Sequence, residues 1–172
     1  MTSIGPYSKS HDQTHMFDFS DSRRYPRRDI AYCPRTLMGI IDTTPELSRV
    51  NFMIKLADMD GILNDEQAEF TMFLPSDSFL RKYPESTFVN FDKGTVRKIL
   101  KGSMTNRRMT SAIIEDSPSA FFITLDRSNK MFISNISGGT YINNCMKVVQ
   151  KDIFASNGVI HIIDDLLWPT MI

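Results

Sequence analysis

The stretch DIFASNGVIHIIDDLLWP, Asp152 to Pro169, decides how this chain is read. The run MKVVQKDIF that leads into it has the texture of a strand, Asn157 and Gly158 supply a turn, and Val159, Ile160, Ile162 and Ile163 return as a second strand. Asn and Gly both tolerate positive φ, which suits a tight link between antiparallel neighbours. His161 interrupts the returning apolar run. No second histidine, cysteine or carboxylate accompanies it at metal-ligand spacing, so it is read as a hydrogen-bonded structural histidine and not as a ligand or base.

Upstream of this hairpin the same texture continues back to Arg108. AIIED, FFITL, KMFIS and TYIN read as strands, separated by DRSN at 126–129 and SGG at 137–139, links short enough for antiparallel neighbours. Before Arg108 the period changes. Thr44, Pro45 and Glu46 form a helix start, after which Leu47, Val50, Met53, Ile54 and Ala57 share one face and Gly61 offers a left-handed exit. Phe70 to Leu74 reads as a buried strand stopped by Pro75, with Ser76 and Asp77 as caps for a short helix carrying Phe79 and Leu80. A further helix starts near Asp92, buries Val96, Ile99 and Leu100, and leaves at Gly102. Helices early and about six strands late make an α+β domain dominated by an antiparallel sheet, occupying residues 36–172.

Two motifs carry a resemblance. The segment Asp152 to Pro169 resembles the C-terminal signature of fasciclin domains, with its strand, Asn-Gly turn, His-bearing strand and closing Leu-Pro region. FTMFLPSDSFL, Phe70 to Leu80, resembles the other signature, and Thr36 to Leu63 is similar to the opening helical region. The resemblance covers about residues 36–169 and implies a β-rich wedge with several helices that serves as an adhesion or interaction module. Within it, Pro75, Asp77, Asn157, Gly158 and His161 are scaffold residues. Adhesive members often carry a Tyr-His pair after the second helix, linked to integrin binding. Here that stretch is ILKGSMTNRRMTS, with neither residue, so integrin binding is not implied.

Residues 1–35 differ from the rest. They are rich in Ser, Asp, Arg, Tyr and Pro, lack helical or strand periodicity, and read as an extended polar arm. Their six basic and four acidic side chains leave +2, which the remainder balances at −2, so that the 20 basic and 20 acidic groups of the whole chain cancel. Without an interior of its own, the arm is expected to bind neighbouring subunits. Tyr7, Phe17, Phe19 and Tyr25 would be its anchors and Arg23, Arg24, Arg27 and Arg28 its polar contacts. The RRYPRR cluster also raises nucleic acid as a partner, but Asp18, Asp21 and Asp29 flank it and dilute its field, so that reading is set below the protein one.

The remaining composition bounds location and chemistry. No secretory leader and no span of ~20 apolar residues is found, so membrane insertion is not expected and an intracellular or virion setting is favoured over secretion. Cys33 and Cys145 are too few for a disulfide framework and are read as small apolar packing residues. There is no glycine-rich phosphate loop, no GxSxG elbow and no zinc-spaced set among His11, His15 and His161. Asp164 and Asp165, as strand neighbours, would face opposite sides. No enzyme, cofactor or metal is expected. The expected function is protein–protein interaction as a structural subunit or connector of a larger assembly, a minor virion component among the settings considered; a surface adhesion protein is the alternative.

Overall fold

The computed structural model describes residues 31–84, 86–117, 119–127 and 130–168. Its first half is helical: α1 (Leu37–Thr43), a 3-10 turn (Pro45–Leu47), α2 (Ser48–Leu56) and α3 (Asp60–Leu63) precede strand β1 (Phe70–Pro75), followed by α4 (Asp77–Leu80), α5 (Ser86–Val89) and α6 (Lys93–Lys101). The second half is mostly sheet: β2 (Met104–Thr105), α7 (Ser111–Glu115), β3 (Ser119–Ile123), β4 (Lys130–Ile136), β5 (Gly139–Ile142), β6 (Met146–Ala155) and β7 (Gly158–Ile163).

Among the described residues seven strands run in the order β2-β1-β7-β6-β5-β4-β3. All neighbours are antiparallel except β1 and β7, which pair in parallel from Phe70 opposite Gly158 to Pro75 opposite Ile163. The α+β class with a predominantly antiparallel sheet is therefore the observed architecture, with one parallel pair added. That pair explains β7. A strand in the middle of a sheet and covered on both faces reads as a continuous apolar run, and every residue of β7 is buried. Ile160 and Ile162 meet the helical layer, with Leu37, Ile41, Phe52 and Ile54 in one cluster. Ile163 joins Phe73, Met109, Ile133 and Val148 in the other.

Several local expectations change. Thr36 is the first cap, accepting from the amide of Gly39, and it opens α1, a helix the periodicity missed. Pro45 sits in the first turn as anticipated, but Thr44 makes no side-chain cap bond and donates its hydroxyl to the Ile40 carbonyl instead. Gly61 lies inside α3; the left-handed residue after α2 is Asp58, with φ of 57°. AIIED is helical in α7, not a strand, because Thr110 caps it and the Asp152 carboxylate takes the Ser111 amide. Its short apolar run fits either period. Asp164 and Asp165 follow β7 in a bend and do not belong to it. Cys145 is exposed, so it does not act as a packing residue, while Cys33 is half-buried.

Residues 32–35, assigned above to the arm, are already fastened to the domain. The Tyr32 hydroxyl donates to Asp60 Oδ2 (2.8 Å), the Cys33 amide to Asn64 Oδ1 (2.9 Å), and the Arg35 carbonyl accepts from the Ser156 amide (2.7 Å). No described helix is long and apolar enough to cross a membrane.

Candidate functional site

The signature residues form a scaffold, each for a different physical reason. Asn157 occupies the two-residue connection between β6 and β7, where Ala155 pairs with Gly158. Its side chain is buried and fully used: Oδ1 accepts from the Leu37 amide (2.7 Å), and Nδ2 donates to the carbonyls of Leu63 and Asp65 (both 2.9 Å). One amide thus ties the start of α1 and the end of α3 to the hairpin. Neither Asn157 nor Gly158 has positive φ, contrary to the turn logic. Glycine is required at 158 by proximity, since a Cβ there would lie 2.0 Å from the Phe70 carbonyl oxygen and 2.9 Å from Leu37 Cδ1.

Arg108 completes the same corner. Its guanidinium donates to the carbonyls of Gly158, Ala155 and Ser156 (each 3.1 Å) and to Glu69 Oε2 (2.9 Å). Nothing in the sequence distinguishes this arginine from Arg107 beside it. Pro75 closes β1 as a buried residue opposite Ile163. Asp77 is the first residue of α4, yet its carboxylate serves a different helix, accepting from Ser48 Oγ (2.5 Å) and from the Arg49 amide (3.0 Å) at the start of α2. Charge-assisted bonds to free amides suit the positive end of that helix.

His161 is fully buried and stacked 5.3 Å from Phe73. Nδ1 accepts from the Asp152 amide (3.1 Å), so the proton resides on Nε2, which donates to the Met109 carbonyl (2.7 Å). Burial pushes its pKa below the ordinary histidine value, while the bond to Met109 and the Asp152 charge pull the other way. Asp152 adopts φ of 63° at the irregular stretch of β6, and both its oxygens are taken by Ser111. Burial raises the Asp152 pKa, but the Ser111 hydroxyl and amide outweigh it and leave the carboxyl below its usual value. Ser111, Asp152 and His161 are therefore close without forming a triad. The histidine has no free nitrogen with which to take a proton from the serine.

The other polar clusters are likewise committed. Tyr83 donates to Asp165 and accepts from Trp168 Nε1 (3.0 Å). Its pKa is raised by burial and then by Asp165, so it remains a neutral donor. A shallow cleft of about 270 Å³ lies between Glu115, Asn135, Thr140 and Lys151, where Lys151 pairs with Glu115 and Asn135 accepts from Thr140. Among the described residues no three His, Cys, Asp or Glu side chains group so as to hold a metal ion.

The domain also exposes large apolar side chains. In the hairpin β3–β4, Phe121 stands opposite Phe132, with ring centroids 4.7 Å apart, and Ile123 stands opposite Lys130. Alternate residues share a face. Ala120 and Phe122 turn inward half-buried, whereas Phe121 and Ile123 are each 67% exposed and Ile136 is 53% exposed on the outer side. Among the described residues β3 is also the last strand of the sheet. The sequence showed FFITL only as a strand; which of its residues face outward depends on where β3 falls in the sheet. The arm residues Tyr7, Phe17, Phe19, Arg23, Arg24, Tyr25, Arg27 and Arg28 lie outside the described residues.

Comparison with known proteins agrees with this architecture. The family model for the fasciclin domain matches residues 45–169. A relative from Synechocystis sp., protein sll1483, is 28% identical over 140 residues, which is 79% of this chain and 74% of the relative. Among solved structures, a FAS1 domain pair from the insect cell adhesion molecule fasciclin I superposes with a TM-score of 0.66 at 24% identity, over 78% of this chain and 51% of that one. The chain thus spans about half the length of that structure. With the two signatures on β1–α4 and β6–β7, and the family match running from the 3-10 turn past β7, this chain belongs to the fasciclin family.

Proposed function

We propose that this chain is a non-catalytic protein–protein interaction module, a connector fastened to neighbouring subunits of a larger assembly by its N-terminal residues. The observation that carries the reading is the outer face of β3–β4, where Phe121 and Ile123 stand 67% exposed at the end of the sheet while the buried His161 and Asn157 spend their polar atoms on the fold. Exposed apolar side chains gathered at a sheet end are what a binding surface presents, whereas single scattered ones mean little. The arm adds aromatic and arginine side chains, the residue types that dominate interface energies.

The test is native mass spectrometry of the chain isolated from its source, with residues 1–30 present and removed. The connector reading expects a defined complex with other subunits that is lost on removal of the arm. Recovery only as a free chain in both cases would defeat it. A virus particle is one assembly of this kind, and co-sedimentation of the chain with intact particles is the measurement for that setting. The match to a structure from a cell adhesion molecule supports a second reading, adhesion at a cell surface. Labelling of the chain on intact cells by a membrane-impermeant reagent would favour it.

A further inference from the structure

Helix α7 is tied to the sheet largely by polar bonds. The Ser111 amide and hydroxyl donate to the Asp152 carboxylate, Asn135 Nδ2 donates to the carbonyls of Ile114 (2.9 Å) and Ser117 (2.8 Å), and Lys151 pairs with Glu115. Within α7 only Ile114 is buried, and a helix this short has little stability of its own. Its place over the sheet therefore depends on those tethers. The tether at its start ends on Asp152, whose backbone amide is in turn held by His161 Nδ1 (3.1 Å).

Protonation of His161 is incompatible with this arrangement. Nδ1 accepts from the Asp152 amide and Nε2 donates to the Met109 carbonyl, whereas an imidazolium has two donors and no acceptor. The Met109 bond survives protonation. The Asp152 amide, however, then faces a second N–H, while the carboxylate of the same residue is attracted to the new charge. Burial would raise the Asp152 carboxyl, yet the two bonds from Ser111 hold it below its usual value, so it is ionised throughout. The charged groups that act on the ring are both on β6, Asp152 and Lys151, and Lys151 is paired with Glu115 of α7. β1 presents the Phe73 ring, and the segment before α7 presents the Met109 carbonyl, with Arg108 spent on the carbonyls of the β6–β7 turn.

We propose that His161, Asp152 and Ser111 form an acid-sensitive latch: when His161 is protonated, the Asp152 carboxylate turns from Ser111 to His161 Nδ1, and α7 comes away from the sheet while the rest of the domain stays folded. This goes beyond the connector reading and holds whatever the N-terminal residues bind. In the latched form burial keeps the His161 pKa below its ordinary 6.5. In the released form the ring is less buried and has the carboxylate beside it, so it binds the proton more tightly and acid favours release. One proton changes the ratio of released to latched forms by at most about tenfold per pH unit. Release uncovers Ile114 and, beneath it, the apolar cluster that contains Met109 and Phe73. The surface that the domain presents at α7 thus changes with pH.

The experiment is an NMR titration of the full-length, isotope-labelled chain from about pH 7 to about pH 5, following the His161 ring and the backbone amides. The Ser111 amide should move with the midpoint of the His161 ring. Exchange protection in α7, corrected for intrinsic rates, should fall by up to about tenfold per pH unit while the amides of β1 and β7 stay protected. In Asp152→Asn the ring should titrate at lower pH and the Ser111 amide should no longer follow it, because an uncharged side chain is not drawn to the imidazolium. His161→Gln should remove the Ser111 shift altogether. A Ser111 amide that stays still while the ring titrates overturns the proposal, as does an equal shift in the Asp152→Asn variant. A ring that stays neutral until β1 and β7 lose protection also overturns it, since acid then unfolds the domain as a whole.

Discussion

The Asn157 side chain accepts the amide of Leu37 at 2.7 Å across 120 residues of sequence. The same side chain donates to Leu63 and Asp65, so a single amide joins the hairpin to both ends of the opening helical region. Orientation matters here, because its oxygen faces an N–H and its nitrogen faces two carbonyls. Asn157→Asp should therefore destabilise at least as much as Asn157→Ala, about 3 kcal/mol or more, since it points an oxygen at two carbonyl oxygens. Urea unfolding of the two variants checks the order; a near-neutral Asn157→Asp would contradict the clamp.

Two glycines separate proximity from propensity. Gly158→Ala must push a Cβ into the Phe70 backbone and should cost about 3 kcal/mol or more, or prevent folding. Gly61 has open space around its missing Cβ and lies within α3, so Gly61→Ala should stabilise by up to about 1 kcal/mol. Thermal melts of both variants decide this.

His161 should make stability depend on pH. Its folded pKa lies below the unfolded value of 6.5, so the unfolded chain binds the extra proton more readily. The contribution is fully present above about pH 6.5 and is lost as the pH falls through the lower folded value. The melting temperature of the wild-type chain should drop between pH 7 and pH 5, and His161→Gln should flatten that slope. Replacement by Ala should cost roughly 1 to 3 kcal/mol by leaving the Met109 carbonyl and Asp152 amide without partners. An equally steep slope in the Gln variant would count against the assignment.

Truncation should separate two parts of the N-terminal region. Removal of residues 1–30 should leave a cooperatively melting domain. Removal of residues 1–35 also deletes the bonds of Tyr32, Cys33 and Arg35 to Asp60, Asn64 and Ser156, and should cost about 2 kcal/mol further. Equal stability of the two forms would show that those contacts are incidental.

Asp77 and Gly158 show how far the site residues were legible. Both stand out in the sequence, one after Pro75 and one in an Asn-Gly pair, and local chemistry points to a cap for the next helix and a turn former. Asp77 instead caps α2, which begins 29 residues earlier, and Gly158 is held small by the Phe70 carbonyl on a parallel neighbour. The residue type was informative because its chemistry is fixed. Its partner was not, because the partner is chosen by which strand lies alongside.

By itself the sequence determined the helical first half, the sheet-rich second half, the β6–β7 hairpin and the family, because hydrophobic period and turn chemistry are local properties of a few consecutive residues. Only the tertiary structure decided that β1 lies parallel beside β7, that AIIED is a helix fixed by Asp152, and that β3 ends the sheet with Phe121 and Ile123 facing outward. The first of those outcomes depends on partners 88 residues apart, as from Phe70 to Gly158, and the second on a bond across 41 residues, and no local period encodes which segments will meet.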